Sequence, residues 1–209
     1  LVLDLRNNPG GVLSASVDVA GMFLDGGTVV YTEGRLANSD MHFYADAGDV
    51  SEGTPLVVLI NAGSASASDI VAGALQDRGR AVVMGSDSFG KGSVQTILPL
   101  SDSRAVKLTT ARYFTPDGHS IQAEGIVPDI PVDRARVTAY DNSLRVTEAD
   151  LSGHLANGNG EGRKSRGSKS AVNELLASDN QLYEALTLLK GINILGLRDS
   201  NTRAAQGDS

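Results

Sequence analysis

An unbroken apolar run, LVVLI at residues 56–60, constrains the fold of this chain more than any other feature. A run without polar residues predicts a strand buried on both faces, as in a parallel sheet that helices cover. The following segment has the apolar stripe of an amphipathic helix, formed by Ile70, Val71, Ala74 and Leu75. Because residues 81–84 then return as a strand, the order predicts a parallel crossover unit of an α/β domain.

The segments before this unit extend the α/β pattern. Residues 1–5 predict a buried strand, which the turn-forming sequence NNPGG at residues 7–11 ends. Apolar residues at helical spacing over residues 13–24 predict a helix that Gly26-Gly27 ends. Two further strands are predicted at residues 28–32 and 41–44.

The chain after the crossover unit changes character twice. Residues 94–100 and 105–114 predict a hairpin, and residues 125–132 predict an extended, proline-punctuated edge strand. Residues 136–170 predict an extended segment and a flexible linker, because the second half of this range is rich in Gly, Ser, Asn, Arg and Lys. The domain division is therefore a core at 1–135, this linker, and a helical segment at 171–198.

The predicted C-terminal helix has both a start signal and an apolar face. Ser178 and Gln181 fit a capping box at its beginning. The apolar face that follows is formed by Leu182, Ala185, Leu186 and Leu189. This helix is a candidate interface between copies of the chain.

The composition argues against several classes of function. A net charge of −7, the absence of Trp and an aromatic content of 4% disfavour a nucleic-acid binder. The absence of Cys excludes disulfides, thiolate catalysis and zinc–thiolate sites in this chain. No apolar run reaches the length needed to span a bilayer. Because the chain begins without Met inside a predicted strand, we expect a fragment of a longer protein.

Three serines alternate with alanines in the sequence NAGSASASDI, residues 61–70, between the strand and the helix. Ser66 and Asp69 match the Ser-x-x-acid capping pattern, which by itself would explain the serine as a helix cap. The same position also suits a nucleophile, because a helix start offers free backbone N–H groups to a developing anion. Sequence chemistry alone does not separate the three serines. The capping argument favours Ser66 at the junction, since Ser64 stays in the loop and Ser68 enters the first turn.

A serine nucleophile needs a base. The sequence surroundings of the three histidines, His42, His119 and His154, are typical of surface residues. Lys91 instead lies between two glycines in GSDSFGKGSVQ, where the backbone can approach another segment closely. A lysine acts as a base only in its uncharged form, which burial away from carboxylates favours. Taken alone, Lys91 also fits a solvated loop lysine.

Four sequence blocks occur in a specific order over residues 1–132: LVLDLRNNPGG, NAGSASASDIVAGALQD, GKGSVQ and KLTTARYFTPDGHSIQAEGIVPDI. Together they resemble the carboxy-terminal processing proteases, also called tail-specific proteases. That family consists of serine peptidases with a Ser-Lys catalytic dyad, which need no metal or organic cofactor. The resemblance implies an α/β fold: a crotonase/ClpP-like protease core of the ββα type, then a β-rich segment and a C-terminal helix.

The resemblance assigns catalytic roles to individual residues. The family's nucleophile is the middle serine of Ser-Ala-Ser-Ala-Ser-acid, here Ser66, and its base lies 25 positions later, here Lys91. Gln95, four residues past the lysine, is implied to orient the amine. Residues four apart in an ideal strand are about 13 Å apart, so direct contact requires a bend, which Gly92 can provide. Asp77 matches an acidic position of some members, but we expect a structural role, since a carboxylate beside the lysine favours the charged amine.

The resemblance also implies an oxyanion hole. In the family, a glycine after the first strand and the residue after the nucleophile donate their backbone N–H groups. The matching residues are Ala67 and either Gly10 or Gly11, and the sequence leaves the choice of glycine open. Asp69 is expected to support the site as the acid of the capping box.

The implied function is a serine endopeptidase that cleaves proteins at or near their carboxyl ends through an acyl-enzyme. The resemblance further implies protein or peptide substrates, no nucleic-acid partner, a place in the bacterial periplasm or cell envelope, and a PDZ domain outside this chain. It leaves room for an activating adaptor protein and for a homo-oligomer formed through the C-terminal helix. The alternatives are a structural assembly domain and a non-catalytic binding module of the same fold, against which the presence of both Ser66 and Lys91 argues.

Overall fold

The computed structural model describes residues 1–35, 40–101, 104–138, 148, 151–155 and 169–206. Within these ranges the chain forms eight strands and four helices, and the strands make two four-stranded sheets. One sheet is parallel and the other antiparallel. The predicted α/β class and the parallel crossover unit are therefore confirmed.

The parallel sheet has the strand order β1-β4-β5-β8. Its strands are β1 (Val2–Asp4), β4 (Leu56–Ile60), β5 (Ala81–Gly85) and β8 (Ile130–Pro131). All five residues of β4 are buried, as the unbroken apolar run predicted. The short β8 pairs with the end of β5, so the proline-punctuated segment does form an edge strand.

Alternate side chains of β4 enter two separate cores. Leu56, Val58 and Ile60 lie in a core with α1 (Leu13–Gly21) and α2 (Ala67–Asp77). The side chains between them, on the opposite face of the strand, pack with the C-terminal helix. The helices on the two faces explain why the strand carries no polar residue.

Helix α1 ends earlier than predicted. The pattern extended to Gly26-Gly27, whereas the helix ends at Gly21. Phe23 and Leu24 donate their backbone N–H groups to carbonyls three residues earlier, at 3.1 and 3.3 Å. These tighter turns end the helix while Leu24 still reaches the core, so helical spacing of apolar residues overestimated its length.

The antiparallel sheet has the strand order β3-β2-β7-β6. Its strands are β2 (Gly27–Gly34), β3 (Met41–Ala45), β6 (Ser93–Ser101) and β7 (Arg104–Phe114). The predicted hairpin pairing of β6 with β7 is confirmed. Because β2 pairs with only residues 111–114 of β7, the remainder of β6 and β7 continues as a two-stranded ribbon, residues 95–101 and 104–110.

The C-terminal segment forms α3 (Lys169–Ser178) and α4 (Asn180–Gln206). The predicted cap at Ser178 is wrong, because Ser178 still belongs to α3 and its hydroxyl donates to the Leu175 carbonyl. Asp179 takes the capping role instead, since its carboxylate accepts the N–H of Leu182 at 3.0 Å. The predicted apolar face is present, and Ala185 is fully buried against the parallel sheet.

The domain boundaries at residues 135 and 170 stay predictions. Most of the proposed linker lies outside the described residues. No helix that the structure describes is long and apolar enough to cross a membrane.

Candidate active site

Ser66 is the N-cap residue of α2, in the loop that follows the carboxyl end of β4. Its backbone has a φ of +57° and a ψ of −109°, a region that residues other than glycine rarely occupy. This conformation turns the chain sharply from strand to helix and leaves Ser66 half-buried. The residue therefore lies where the first backbone N–H groups of the helix have no partner within the helix.

The other two serines of the cluster have structural roles. Ser64 is fully buried, and its hydroxyl donates to the backbone carbonyl of Leu5 at 2.7 Å and accepts the N–H of Asn61 at 3.0 Å. Ser68 is buried, and its hydroxyl donates to the carbonyl of Asn8 at 3.0 Å. Both hydroxyls fasten the serine-rich loop to the segment after β1, which leaves the middle serine as the accessible one.

Asp69 lies in the first turn of α2 with none of its surface exposed. Its Oδ2 accepts the backbone N–H of Ser66 at 2.7 Å and that of Lys91 at 3.1 Å. Its Oδ1 accepts the hydroxyl of Ser88, and the backbone N–H of Gly90 is a further donor. Burial raises the pKa of Asp69, while these four donors act in the opposite direction by stabilising the carboxylate.

This carboxylate does more than the predicted capping box requires. The bond to the Ser66 N–H is the acid half of that box. The bond from the same oxygen to the Lys91 N–H connects the nucleophile segment to a loop 22 positions further along the chain. The two backbone nitrogens are therefore no farther apart than the sum of the two hydrogen-bond lengths.

The loop that carries Lys91 packs against residues 121–125 through its glycines. A Cβ on Gly90 or on Gly92 would lie 2.5 or 2.4 Å from a backbone nitrogen of that segment. The predicted close backbone approach is present, and it requires glycine at both positions. The side chain of Lys91 is exposed, so the expectation that it is buried is wrong for this structure. The reason is that the backbone of the glycines, rather than the lysine side chain, makes the packing contacts of the loop.

Gln95 is exposed on β6. Within the part of the chain that the structure describes, no hydrogen bond joins its side chain to Lys91. The pairing of β6 with β7 shifts register between Val94 and Gln95, so an irregularity lies between lysine and glutamine. Orientation of the amine by Gln95 stays a prediction.

The two candidate oxyanion glycines differ. A Cβ on Gly10 would lie 2.4 Å from the Ala65 oxygen and 2.6 Å from the Ala67 nitrogen, and the φ of Gly10 is +89°. Its N–H donates to the side-chain oxygen of Asn8 at 3.0 Å. A Cβ on Gly11 would meet no atom within 4 Å. Gly10 is therefore needed for packing against the Ser66 turn, whereas Gly11 lies in open space beside it.

Two backbone N–H donors beside Ser66 have no protein partner in the part of the chain that the structure describes. Among the described residues, neither the N–H of Gly11 nor that of Ala67 donates to a protein acceptor. The first lies next to the glycine that touches the Ser66 turn, and the second belongs to the residue after Ser66. Free N–H groups at a helix start are suited to hold an oxyanion.

An apolar cavity of about 400 Å³ opens beside these donors, between α1, α2 and the end of β1. Gly10, Gly11 and Ala67 form one part of its wall. The apolar part of its wall is formed by Leu3, Leu5, Val12, Ala15, Val19 and Val71. A cavity of this kind accepts an apolar side chain while the adjacent N–H groups bind a carbonyl oxygen.

Asp77 is the last residue of α2, at the opposite end of the helix from Ser66. Its carboxylate accepts the backbone N–H of Asp117 at 2.8 Å. It lies eleven positions after the serine, which corresponds to a rise of about 16 Å along a helix. The expectation of a structural role therefore agrees with its place in the fold.

Sequence reasoning missed Ser88 and Asn8. The Ser88 hydroxyl, which donates to Asp69, also accepts the N–H of Ile126 at 2.7 Å. The carbonyl of Asn8 accepts the N–H of Ala65 at 3.0 Å and also the Ser68 hydroxyl. The partners of Ser88 are 19 and 38 positions away, so local pattern carried no signal for them.

Comparisons with known proteins find related chains. A model of peptidase family S41 matches residues 1–132. A carboxy-terminal-processing protease of Bartonella bacilliformis is 50% identical over 191 residues, which are 91% of this chain and 44% of that protein. A chloroplastic carboxyl-terminal-processing peptidase 3 of Arabidopsis thaliana is 41% identical over 178 residues, 81% of this chain and 34% of that protein. The chain thus spans less than half the length of these curated relatives.

Solved structures give the same result. The photosystem II D1 C-terminal processing protease matches with a TM-score of 0.59 and 45% identity, over 64% of this chain and 34% of that one. A lipoprotein from Streptococcus agalactiae, at 19% identity and a TM-score of 0.52, covers 63% of this chain and 50% of its own, and shares the fold alone. The resemblance stated from the four sequence blocks is confirmed.

Proposed function

This chain belongs to peptidase family S41, and on that premise we propose that it is the core of a serine endopeptidase that cleaves proteins at or near their carboxyl ends. One observation carries the proposal. The backbone of Ser66 and that of Lys91 are fastened to the same oxygen of the buried Asp69 carboxylate. A buried connection of this kind holds a nucleophile and a base near one another before substrate binds.

In the proposed reaction, the uncharged amine of Lys91 removes the hydroxyl proton of Ser66 while Oγ attacks the scissile carbonyl. The carbonyl oxygen becomes an oxyanion, which backbone N–H groups stabilise. The ammonium group of Lys91 then protonates the leaving amine, and the acyl-enzyme ester remains. Lys91 next deprotonates a water molecule that hydrolyses the ester, and the proton returns to Ser66.

The oxyanion donors in this proposal are the N–H groups of Ala67 and Gly11. Gly11 is preferred to Gly10 because the N–H of Gly10 donates to the Asn8 side chain. Gly10 contributes by its lack of a side chain, which lets the loop lie against the Ser66 turn. This division of roles is our proposal for the choice between Gly10 and Gly11 that the sequence left open.

Lys91 is exposed in this structure, and in the proposed reaction its amine loses its proton in the substrate complex. A peptide that lies across the apolar cavity and the Lys91 loop excludes water from the amine. Loss of water disfavours the ammonium form and favours the uncharged amine. The base thus forms when substrate is present.

The substrate class follows from the cavity and from the relatives. The apolar cavity beside Gly11 and Ala67 receives an apolar side chain on the acyl side of the scissile bond. The names of the relatives from Bartonella bacilliformis and Arabidopsis thaliana support cleavage near carboxyl ends.

Three further expectations belong to the same proposal: a periplasmic or envelope location, an activating adaptor protein, and a homo-oligomer formed through the C-terminal helix. The last has support in α4, where Ile194 and Leu195 are 51% and 61% exposed. Exposed apolar side chains on one helix are typical of an interface.

The test is hydrolysis of an unfolded protein by the full-length protein with single substitutions. Ser66→Ala and Lys91→Ala should each lower kcat/KM by about 10⁴-fold or more, because a nucleophile and its base act as one unit. Ser14→Ala, exposed on α1, and Lys107→Ala, exposed on β7, are matched controls that should keep the activity of the unmodified protein.

Two results would contradict the proposal. Normal turnover by Lys91→Ala would remove the lysine from the mechanism. Peptide binding without hydrolysis by the unmodified protein would instead support a non-catalytic binding module of the same fold.

A further inference from the structure

A cluster of charged and amide side chains connects the C-terminal helices to the glycine loop, residues 7–11. Arg6 is the centre of the cluster, and its guanidinium donates to both carboxylate oxygens of Asp179, at 2.8 and 2.7 Å. The same group donates to both oxygens of Asp4, at 2.9 and 2.7 Å, and to the side-chain oxygen of Gln181 at 3.0 Å. Two-pronged arginine–carboxylate pairs of this kind hold a fixed geometry.

The junction of α3 and α4, residues 178–181, is itself anchored on the core. The side chain of Asn180 donates to the carbonyl of Asp133 at 2.8 Å and accepts the N–H of Ala135 at 2.9 Å. The side chain of Gln181 donates to the carbonyl of Val132 at 2.6 Å. These contacts do not involve Arg6, so the acceptors that face Arg6 are held in place by the rest of the domain.

Arg6 connects the junction of α3 and α4 to the glycine loop. Its side chain is 15% exposed, and the mutual attraction lowers the pKa of Asp179 and of Asp4. The N–H of Asn8 donates to the carbonyl of Leu5 at 3.2 Å, which closes a turn whose two central residues are Arg6 and Asn7. The orientation of Arg6 is therefore part of the conformation of this turn.

The turn leads directly to the candidate oxyanion donors. The carbonyl of Asn8 accepts the N–H of Ala65 at 3.0 Å, which joins the turn to the Ser66 loop. The side chain of Asn8 accepts the N–H of Gly10, which lies against the same loop. A change in the turn would therefore displace Gly10 and the Gly11 N–H from the Ser66 loop.

We propose that the connection between α3 and α4 is a positioning element of the active site: Asp179 and Gln181 hold Arg6, and Arg6 holds the glycine loop where its N–H groups face the oxyanion. The inference rests on the proposed function, since it concerns the oxyanion of the same reaction. Arg6 and Asp179 are positioning residues, because they act through the loop and touch no reacting atom. The C-terminal helices thereby influence turnover from outside the cleft.

The first measurement compares Asp179→Asn with Glu184→Gln in the full-length protein. Both substitutions replace a carboxylate by an amide near the start of α4, but Glu184 is exposed and its side chain makes no hydrogen bond among the described residues. Asp179→Asn should lower kcat for peptide hydrolysis about tenfold, because small displacements of positioned groups slow catalysis strongly. KM should stay unchanged, since the apolar cavity is intact, and Glu184→Gln should change neither value.

A second measurement separates positioning from folding. A peptide aldehyde adds to Ser66: the Oγ–carbon bond forms, the C=O π bond breaks, and the serine proton moves to the amine of Lys91. The former carbonyl oxygen becomes negatively charged and occupies the oxyanion position. The matching peptide alcohol cannot form this adduct. Asp179→Asn should weaken inhibition by the aldehyde about tenfold and leave inhibition by the alcohol unchanged. Asp179→Glu keeps the carboxylate and should restore most of the loss. If the Asn variant is unfolded, Arg6→Lys takes its place and should show the same losses, since lysine keeps the charge but cannot form the two-pronged pairs.

The outcomes divide cleanly. Unchanged kcat and unchanged aldehyde inhibition in a folded variant would overturn the inference, and so would a rise in KM alone. Failure of the unmodified protein to hydrolyse any peptide would overturn the proposed function itself, and this inference with it. A loss of kcat and of aldehyde affinity, with the alcohol unaffected, supports the positioning role.

Discussion

The nucleophile segment, residues 61–77, and the base segment, residues 89–101, are built in opposite ways. Every residue from 68 to 75 is buried, and the hydroxyls around Ser66 are used to fasten the loop. In the base segment Phe89, Ile97 and Leu100 are 65–68% exposed, and Lys91 is exposed as well. The first segment is held by its own packing, whereas the second is held by backbone contacts to other segments.

Around Lys91 these contacts come from three consecutive backbone N–H groups. The N–H of Phe89 donates to the carbonyl of Ser64 at 2.8 Å, and the N–H groups of Gly90 and Lys91 donate to Asp69. The nucleophile is therefore positioned by the fold of its own segment. The backbone of the base is placed by the buried Asp69 carboxylate and by the packing of the glycines on residues 121–125, while the lysine side chain is exposed.

The largest effect is expected for Asp69→Ala, which removes the acceptor that both segments share. The donors that remain lie in a site without solvent access, so the free energy of unfolding should fall by about 3–5 kcal/mol, and hydrolysis should be lost. Asp77→Ala, at the other end of the same helix, removes an acceptor for one backbone N–H and should cost less than about 1 kcal/mol. Urea unfolding measures both; equal small losses would show that Asp69 is no anchor.

A second test concerns the contact of the glycine loop with the nucleophile segment. Gly10→Ala should lower kcat about 100-fold, because the new Cβ would lie 2.4 Å from the Ala65 oxygen and push the loop away. Gly11→Ala keeps the backbone N–H and enters open space, so kcat should stay within about threefold. Steady-state kinetics of the two variants decide the matter. A larger loss for Gly11→Ala would reverse the roles assigned to the two glycines.

The smallest effect is expected in the ribbon. Leu100→Ala should change the free energy of unfolding by less than about 0.5 kcal/mol, since the side chain is 68% exposed. Leu59→Ala in β4, where the side chain is fully buried, should cost about 2–5 kcal/mol. Thermal or urea unfolding of the full-length protein gives both values. A loss well above 0.5 kcal/mol for Leu100→Ala would mean that another part of the protein covers the ribbon.

Sequence patterns predicted the architecture better than its details. The run at 56–60 coincides with β4, because five apolar residues between polar turns leave no other register. The predicted end of α1 and the predicted cap of α4 were wrong. Neighbouring residues have similar propensities at both places, and the hydrogen bonds of Leu24 and Asp179 decide between them. The spacing of apolar residues predicts that a helix or strand is present, whereas individual hydrogen bonds determine where it ends.

The same distinction between local features and distant contacts applies to the candidate active site. The position of Ser66 at a helix start, and the need for glycine beside Lys91, followed from local chemistry. The burial expected for Lys91 did not occur, because its exposure depends on which segments pack on the loop. The roles of Ser88 and Asn8 were not visible in the sequence for the same reason.

What the sequence determined by itself is the order of strands and helices, the serine at the junction, and the spacing that made the family recognisable. Each depends on residues close together in the chain, where periodicity and backbone preference act directly. Only the tertiary structure decided that Asp69 reaches Lys91 across 22 positions and that Arg6 meets Asp179 across 173. Which buried acceptor a donor finds is settled by how distant segments pack, because a buried polar group must be paired but its partner can come from anywhere in the chain.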